Sequence, residues 1–454
     1  MNGNIAMVAG EVSGDLTGGA LASHLLMLEP NWNLWGIGSA CMRIAGVELM
    51  YDSAEWSAIG IVESLAKAPR LWLIFQELKR RLLRERPSVV ILIDFGAFNS
   101  RVARFCHQHR LRTLYYFPPG SWRRQGYASA KLAKYCNLIA SPFPWAASIW
   151  KEAGASAEFV SHPLLDLARP EMTGSEFADR YGMKVDAPII GLLPGSRPFE
   201  VEHNTPVMLD AARLIQKQIQ NAQFVVAKAP GVNQQVIERY VQNANQHGRR
   251  NGRRFSLIEM IDRSAKIKSD EAGKRESIRA ITPEGFEISA SCNQPLLSHR
   301  WRVVQPASQT DTIPILILGD HRFDLMAHSD CLIICSGTAT LEAAILQTPM
   351  VIIYRGSRLM EVEYRLRRIR KKVEHIGMPN ILANRRICPE LIQDEATPEA
   401  IANLVVEYLL SPQRRSEVQV ALGEVKSLLG NGGASERTAR LALSLAHQEQ
   451  PLDY

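Results

Sequence analysis

Residues 5–15 read IAMVAGEVSGD, an apolar run that leads directly into a turn containing two glycines and a serine. The apolar part predicts a buried β-strand, and the pattern after the turn predicts a helix. Glycine and serine at such a turn let backbone N–H groups approach an anion, and the helix N-terminus adds partial positive charge. The stretch therefore indicates a βα unit whose turn faces a ligand.

A similar arrangement recurs twice in the second half of the chain. Residues 193–197 read LPGSR after one apolar run, and residues 336–342 read SGTATLE after another. Strand-length apolar runs alternate with helical patterns before and after a polar break that includes Pro170 and Asp186. This alternation is typical of doubly wound parallel sheets, which bind ligands at the carboxyl ends of their strands. We therefore predict an α/β protein with two Rossmann-like lobes that face a cleft.

One segment interrupts the second series of strands and helices. Residues 244–312 hold twelve Lys and Arg against eight Asp and Glu, with weak strand-like runs at 286–290 and 301–304. We interpret the segment as a basic insertion at a loop. The predicted division is 1–168 as the first lobe, 187–243 with 313–430 as the second lobe, 244–312 as the insertion, and 431–454 as a C-terminal helix and tail.

The composition narrows the functional classes. Seven cysteines lie scattered without a Cys-x-x-Cys pair, which predicts reduced thiols and a cytoplasmic protein. No apolar run reaches the roughly 18 residues of a membrane-spanning helix, and the N-terminus lacks a signal-peptide pattern. The net charge of +7 suits an anionic partner. The arginines of 249–254 come without a nucleic-acid motif, so we expect no nucleic-acid partner.

The motifs together resemble the lipid-A-disaccharide synthase family, whose members are inverting glycosyltransferases of the two-lobed GT-B type. The resemblance covers nearly the whole chain except 244–312. It rests on Ala9–Asp15, Ile59–Glu63, Ile93-Asp94 with Phe98-Asn99, Phe159–Leu164, Leu193–Arg197 with Glu200 and Glu202, Ser336–Glu342 and Met378–Ala383.

The resemblance implies a specific reaction. A 2,3-diacylglucosamine unit would pass from its UDP carrier to 2,3-diacylglucosamine 1-phosphate, giving a β-1,6-linked disaccharide 1-phosphate and UDP. No Asp-x-Asp pair lies near the predicted diphosphate site, so we expect neither a metal nor another cofactor. A homodimer is a further expectation.

Asp94 is the predicted catalytic base. It comes directly after the apolar run 89–93, where a carboxylate would point into the cleft. A general base there would take the proton of the acceptor hydroxyl. The alternative is an aspartate that only caps the following turn.

The donor UDP is predicted to bind in the second lobe. Backbone amides at the start of the SGTATLE helix would hold the diphosphate, and Arg197 would pair with a phosphate. The resemblance implies ribose binding by Glu342, which could otherwise only complement the helix dipole. Arg197 could instead form a surface ion pair, and Asn380 a turn. The full predicted set is Gly195, Ser196, Arg197, Ser336, Gly337, Thr338, Glu342 and Asn380.

The acceptor is predicted to bind in the first lobe, near Gly10, Glu11, Ser13, Gly14 and Trp122. Glu11 or Asp15 would meet sugar hydroxyls or support Asp94, and His162 is expected to make a structural hydrogen bond.

Three positions of the first lobe depart from the family pattern: Ala97 replaces a second Asp, Arg124 a second aromatic residue, and Pro144 a Glu. A related UDP-sugar glycosyltransferase with another acceptor is therefore one alternative. A catalytically silent UDP-sugar-binding protein is a second.

A helical stretch after Pro69 combines apolar aromatic residues with a cationic end at Lys79, Arg80 and Arg81. This pattern fits either core packing or a membrane interface. Because the implied substrates are lipids, we predict peripheral association with the cytoplasmic face of the inner membrane. The predicted contact residues are Leu71, Trp72 and Phe75.

Overall fold

The computed structural model describes residues 3–54, 68–122, 129–229, 232–247, 254–261, 279–281, 287–289, 300–304, 312–356 and 374–448. The predicted motif Ile59–Glu63, Arg124 and residues 449–454 lie outside the described residues.

The first lobe is built on a seven-stranded parallel sheet. Its strands are β1 Asn4–Ala9, β2 Asn33–Gly38, β3 Glu48–Asp52, β4 Val89–Ile93, β5 Thr113–Tyr116, β6 Leu138–Ser141 and β7 Ala157–Phe159. Their order across the sheet is β3-β2-β1-β4-β5-β6-β7, with the first strand of the chain near the centre. All residues of β4, β5 and β6 are buried, as expected for strands that are covered on both faces.

Helices cover both faces of this sheet. In chain order they are α1 Val12–Leu28, α2 Ala40–Ile44, α3 Ala68–Glu85, α4 Gly96–Gln108, α5 Ala130–Tyr135, α6 Pro144–Glu152 and α7 Leu164–Leu167. Apolar residues of α3 and α4 pack on one face, and those of α1 on the other.

The second lobe is built on an eight-stranded sheet. Its strands are β8 Ile189–Leu193, β9 Gln223–Ala227, β10 Arg254–Ile261, β13 Arg300–Val304, β14 Thr312–Leu318, β15 Cys331–Cys335, β16 Met350–Tyr354 and β17 Glu390–Ile392. The order is β13-β10-β14-β9-β8-β15-β16-β17, and only the β10–β13 pair is antiparallel. The two sheets confirm the predicted α/β class.

The second half of the chain supplies nine described helices. They are α8 Gly174–Tyr181, α9 Pro198–Gln218, α10 Gln234–His247, α11 Arg322–His328, α12 Thr338–Ile345, α13 Met378–Ala383, α14 Pro398–Leu410, α15 Pro412–Ser427 and α16 Ala434–His447. The last of them, α16, returns to the first lobe and packs against α1 through Ala439, Ala442 and Leu443.

The two lobes meet where the chain crosses from one to the other. The backbone N–H of His162 donates to the Leu429 carbonyl at 2.9 Å, and Ser161 Oγ donates to the same carbonyl. The His162 ring is buried, which lowers its pKa to about 3, and its Nδ1 accepts from the Leu164 N–H at 3.2 Å. This is the structural hydrogen bond that the sequence predicted. His162 is therefore a neutral group that supports the junction.

The predicted insertion is only partly outside the second sheet. Strand β10 pairs in parallel with β14, and β13 pairs with β10. The interpretation of all of 244–312 as an inserted loop is therefore wrong for 254–261 and 300–304. Between them, β11 Arg279–Ile281 and β12 Glu287–Ser289 form a separate two-stranded sheet.

Replacing residues 262–299 by a four-residue Gly/Ser turn is expected to preserve the fold. Ile261 and Arg300 are cross-strand partners, so a short turn would join β10 and β13 as a hairpin. Shortening a loop changes its closure free energy by only about 0.6 kcal/mol per halving of length. Thermal unfolding should stay cooperative, with UDP binding retained.

Deletion of 244–312 is the matched comparison. It removes β10 and β13 and leaves the apolar strand β14 as an open edge, a known route to aggregation. We expect this larger deletion to unfold at lower temperature and to aggregate. Equal behaviour of the two deletions would show that β10 contributes nothing to the sheet.

Candidate functional site

Asp94 follows the buried strand β4 and has an unusual backbone. Asp94 and Phe95 have φ of +48° and +51°, in the left-handed region that residues with a Cβ rarely adopt. The Asp94 N–H donates to the Tyr116 carbonyl at 3.1 Å, and the Asp94 carbonyl accepts from Tyr115 Oη at 3.0 Å. Backbone strain costs about 1–3 kcal/mol per residue and collects at functional sites. The end of β4 is thus a candidate site on backbone geometry alone.

Asn99 fixes this backbone from the first turns of α4, where it is fully buried. Its Nδ2 donates to three carbonyls, those of Val8 at 3.1 Å, Ile93 at 3.1 Å and Asp94 at 2.9 Å. One amide group therefore joins the ends of β1 and β4 to the turn that carries Asp94. No separate role for Asn99 follows from the sequence motifs. Its place five residues after an aspartate at a strand end is the signal that could have found it.

Burial and a neighbouring charge set the pKa of Asp94. Burial raises the pKa to about 7, the negative charge of Glu11 adds to the rise, and a hydrogen bond with the Phe95 backbone opposes it. A general base works best when its pKa lies near the operating pH. Both position and pKa therefore suit the predicted role.

The turn between β1 and α1 lies against the side chain of Phe95. A Cβ on Gly10 would lie 2.2 Å from the Phe95 ring, so only glycine leaves room for that ring. Gly14 is buried against Ala9 and Ile93, and Ser13 is half-buried. Glu11 is exposed, yet close enough to act on Asp94. Of the two predicted supports for Asp94, Glu11 is the one whose charge acts on its pKa.

Asp15 has a different role from the one predicted. Its buried carboxylate accepts from the backbone N–H groups of Ser39 at 2.6 Å, Cys41 at 2.9 Å and Met42 at 3.2 Å. These amides lie at the start of α2 and have no acceptor inside that helix. Asp15 therefore caps α2 and does not meet a sugar.

The remaining acceptor-side residues lie near the ends of the central strands. Trp122 follows β5 and is 39% exposed. Ala97 is exposed in the first turn of α4, and Pro144 is the first residue of α6. Neither Ala97 nor Pro144 has a side-chain hydrogen-bond donor or acceptor. Both departures from the family pattern therefore remove a polar group from the predicted acceptor side.

The LPGSR turn differs in detail from the prediction. The Glu200 carboxylate accepts from the backbone N–H groups of Ser196 at 3.0 Å and Arg197 at 3.1 Å. Gly195 has φ of +124°, and a Cβ there would lie 2.5 Å from the Glu200 Cβ. These two amides are thus occupied by a side chain of the same turn. The Arg197 guanidinium is 47% exposed and 3.4 Å from Glu200. Together with the exposed Ser196 side chain, it stays open to a phosphate.

The SGTATLE turn is anchored on one side and open on the other. Ser336 Oγ donates to the Ile376 carbonyl at 2.7 Å, so its hydroxyl is engaged within the protein. Thr340 Oγ1 accepts from the Met378 N–H at 3.1 Å. Gly337 and Thr338 are exposed, and a Cβ on Gly337 would meet nothing within 4 Å. The start of α12 is therefore exposed and uncrowded, as an anion site requires.

Glu342 lies one turn inside α12 and is buried. Its Oε1 is 3.2 Å from a guanidinium nitrogen of Arg322, the first residue of α11. Burial raises the pKa of Glu342, and Arg322 opposes that rise. Arg322 is not among the residues predicted from the sequence. Its place just after β14, at the carboxyl edge of the sheet, was the available signal.

Asn380 is not available to a nucleotide through its side chain. Its Nδ2 donates to the Cys388 carbonyl and to Glu390 Oε1, both at 2.8 Å. Its Oδ1 accepts from the N–H groups of Ile387 at 2.7 Å and Cys388 at 2.9 Å. Both ends of the amide are engaged inside the loop after α13. The predicted donor contact is therefore wrong for this side chain, and the alternative of a turn-forming asparagine holds.

The predicted membrane residues divide between surface and core. Trp72 and Leu73 are 60% and 57% exposed, next to each other on α3. Leu71 is half-buried, and the Phe75 ring packs edge-on against Phe98 at 5.8 Å. Phe75 therefore belongs to the core contact of α3, and the exposed apolar pair is Trp72 with Leu73.

The cationic end of α3 is also partly engaged. Arg81 stacks over the Trp35 ring at 4.2 Å and pairs with Glu48 at 2.8 Å, and Lys79 lies over the Phe105 ring. Arg80 is exposed. Over the stretches that the structure describes, we find no helix that is both long and apolar enough to cross a membrane.

Known proteins resemble this chain along nearly all its length. Residues 5–261 and 295–443 match the family described as lipid-A-disaccharide synthetase. The lipid-A-disaccharide synthase of Geobacter metallireducens is 32% identical over 98% of this chain and 97% of its own. That of Coxiella burnetii is 28% identical over 98% and 99%.

Solved structures share the fold at low identity. The UDP-GlcNAc 2-epimerase of Neisseria meningitidis bound to UDP-GlcNAc has a TM-score of 0.55 at 10% identity, over 98% of this chain and 100% of that one. MurG of Acinetobacter baumannii has a TM-score of 0.51 at 11% identity, over 98% and 100%. These similarities establish the two-lobed fold.

The unmatched residues between 261 and 295 lie in the connection from β10 to β13 that carries the separate β11–β12 sheet. The family match thus includes β10 and β13, in agreement with their place in the second sheet. Because both sheets and the end of β4 fall inside the matched ranges, the chain belongs to the lipid-A-disaccharide synthase family.

Proposed function

We propose that the chain transfers 2,3-diacylglucosamine from UDP-2,3-diacylglucosamine to 2,3-diacylglucosamine 1-phosphate. The products are the β-1,6-linked disaccharide 1-phosphate and UDP. The observation that carries the proposal is the half-buried carboxylate of Asp94 at the end of β4, with a pKa near 7, in a chain of this family. A related UDP-sugar transfer to another acceptor is the second candidate, because Ala97 and Pro144 remove polar groups near that site.

In the proposed mechanism Asp94 is the general base. Its carboxylate takes the proton of the acceptor 6-hydroxyl as that oxygen attacks the anomeric carbon of the donor sugar. The bond between this carbon and the UDP oxygen breaks, and the electron pair leaves with UDP. Attack from the face opposite to UDP inverts an α-linked donor to a β-linked product. Proton transfer of this kind contributes about 10²–10⁴ to a rate.

The donor residues stabilise the charge that develops on UDP. The amides that open α12, together with the exposed Arg197 guanidinium, are donors for the diphosphate. Buried Glu342 accepts hydrogen bonds from the ribose hydroxyls. Every group in this scheme belongs to the protein, and no step passes through a metal.

Product analysis tests the proposal. Purified protein is incubated with both diacyl substrates, and the products are identified by mass spectrometry, with the anomeric configuration from NMR. The disaccharide 1-phosphate and UDP are expected in equal amounts. Turnover only with another glucosamine acceptor would establish the second candidate. UDP binding without turnover on any acceptor would instead indicate a silent binding protein.

We also propose that Trp72 and Leu73 contact the cytoplasmic face of the inner membrane, where the acylated substrates reside. Burial of a large apolar side chain contributes about 1.5–3 kcal/mol, and each nearby cation such as Arg80 adds roughly 1 kcal/mol on an anionic surface. The sum suits reversible, salt-sensitive binding.

Trp72→Ser with Leu73→Ser is expected to move the protein from the vesicle pellet to the supernatant. The measurement is cosedimentation with vesicles that contain anionic lipid, at low and high salt. Leu410→Ser with Val420→Ser is the matched control, since these residues are 67% and 64% exposed in the second lobe. If both double variants pellet like the parent protein, the contact lies on another surface.

A further inference from the structure

Arg322 is a half-buried cation of the second lobe. It opens α11 directly after His321, and its guanidinium lies 4.5 Å from the Phe323 ring. Its positive charge also acts on the Cys41 thiol of α2, in the first lobe, whose pKa it lowers against the larger effect of burial. Its guanidinium meets Glu342 at 3.2 Å. Arg322 therefore pairs with a buried carboxylate and acts electrostatically on a residue of the first lobe.

Arg322 is the cation that acts on Glu342. The elements packed against α12 carry other charged groups. Lys426 of α15 is exposed to solvent, and the others are engaged elsewhere. Near the start of α11, Asp324 accepts from the Glu171 and Met172 N–H groups, His321 faces Glu171 and Asp324, and His328 contacts the Met172 carbonyl. On α7, Asp166 pairs with Arg169 and accepts from the Ala434 N–H. On α15, Arg414 pairs with Glu407 and Glu417, Arg415 pairs with Asp330, and Glu424 pairs with Arg385.

A buried carboxylate without a cation tends to take up a proton. A protonated Glu342 would present an O–H donor in place of one acceptor oxygen. It would then match the two hydroxyls of a ribose less well than an ionised carboxylate, which only accepts. An ion pair in place before the nucleotide arrives prevents this change.

We propose that Arg322 is a positioning residue for the donor nucleotide, holding Glu342 as an ionised and oriented carboxylate for the ribose hydroxyls. The inference rests on the proposed function, in which Glu342 meets the ribose. Arg322 itself makes no contact with the substrate in this proposal, so substitutions of Arg322 should change nucleotide binding only through Glu342. The effect should also depend on pH.

The test compares the affinity of UDP with that of 2′-deoxy-UDP by calorimetry between pH 7 and pH 9. A hydrogen bond to a charged group gives a preference of roughly tenfold to a hundredfold, so the parent protein should prefer UDP by about that factor throughout. Arg322→Met should weaken the preference most at the low end of this pH range, because the burial that raises the pKa of Glu342 is then unopposed. The preference of this variant should increase with pH. Arg322→Lys keeps the positive charge and should keep the preference at pH 7.

Two further variants separate the possible failures. Glu342→Gln should show little preference at any pH, with no recovery at pH 9. If Glu342→Gln prefers UDP as strongly as the parent protein, the ribose assignment of the proposed function fails. If Glu342→Gln loses the preference but Arg322→Met keeps it at every pH, the role of Arg322 fails while the ribose assignment stands. Thermal unfolding checks each fold, and Arg322→Gln, which keeps length and a donor, replaces Arg322→Met if that variant unfolds.

Discussion

Asp94→Asn is expected to lower turnover by about 10²–10⁴ while UDP affinity stays within a few-fold of the parent protein. The amide cannot accept the proton of the acceptor hydroxyl, yet it fills the same space at the end of β4. The donor groups Arg197 and Glu342 lie in the other lobe and keep their contacts. Steady-state kinetics and UDP titration measure the two quantities separately.

Asp186→Asn is the matched control, since Asp186 is an exposed aspartate before β8. It should leave turnover unchanged. In the parent protein, kcat/KM should rise with pH through about 7, because only the ionised form of Asp94 accepts a proton. Near-parent turnover in Asp94→Asn, or an acid limb far below pH 7, would remove Asp94 as the base.

Stability gives an independent measure of the same pKa. The pKa of Asp94 is about 7 in the folded protein and near 3.8 when unfolded, so the folded state holds the proton more tightly between these values. The parent protein should therefore lose stability as pH rises from 4 to 7, by about 1.4 kcal/mol per pH unit at most. Asp94→Asn cannot ionise and should escape this loss. Its stability relative to the parent protein should thus increase over the same range.

The architecture and the position of Asp94 could be predicted from the sequence because both follow from local patterns. Buried runs such as Val89–Ile93 predict parallel strands, and a polar residue at the carboxyl end of such a strand lies at the ligand-facing edge. The positions of Asp94 and of the α12 turn needed no further information.

The role of a side chain could not be predicted where that side chain forms hydrogen bonds with backbone groups of the protein itself. Asp15, Glu200 and Asn380 have the chemistry of ligand-binding residues and stand at turns, yet each is occupied by amides within the protein. The pattern alone does not tell whether such a group faces a substrate or the backbone. The same limit applies to β10. Its strand conformation depends on pairing with β14, which is distant in the sequence.

Asn99→Ala is the second change with a large expected effect. It leaves the carbonyls of Val8, Ile93 and Asp94 without their shared side-chain donor. The Asp94 carbonyl keeps Tyr115 Oη as a donor. The loss of the buried hydrogen bonds of Asn99 should lower the free energy of unfolding by about 1–3 kcal/mol. The left-handed turn at Asp94 then relaxes. Because a displacement of about 1 Å can cost 10²-fold in rate, turnover should fall roughly tenfold to a hundredfold.

Asn137→Ala separates the loss of stability from the loss of position. Asn137 lies in the same lobe, and its Oδ1 accepts from the Thr113 N–H at 2.9 Å, away from Asp94. This variant should lose stability but keep turnover. Tyr115→Phe removes only the second donor to the Asp94 carbonyl and should have an intermediate effect on turnover. If Asn99→Ala loses stability but turns over like Asn137→Ala, the carboxylate keeps its place without the amide, and the aspartate is oriented by Tyr115 and the strand end alone.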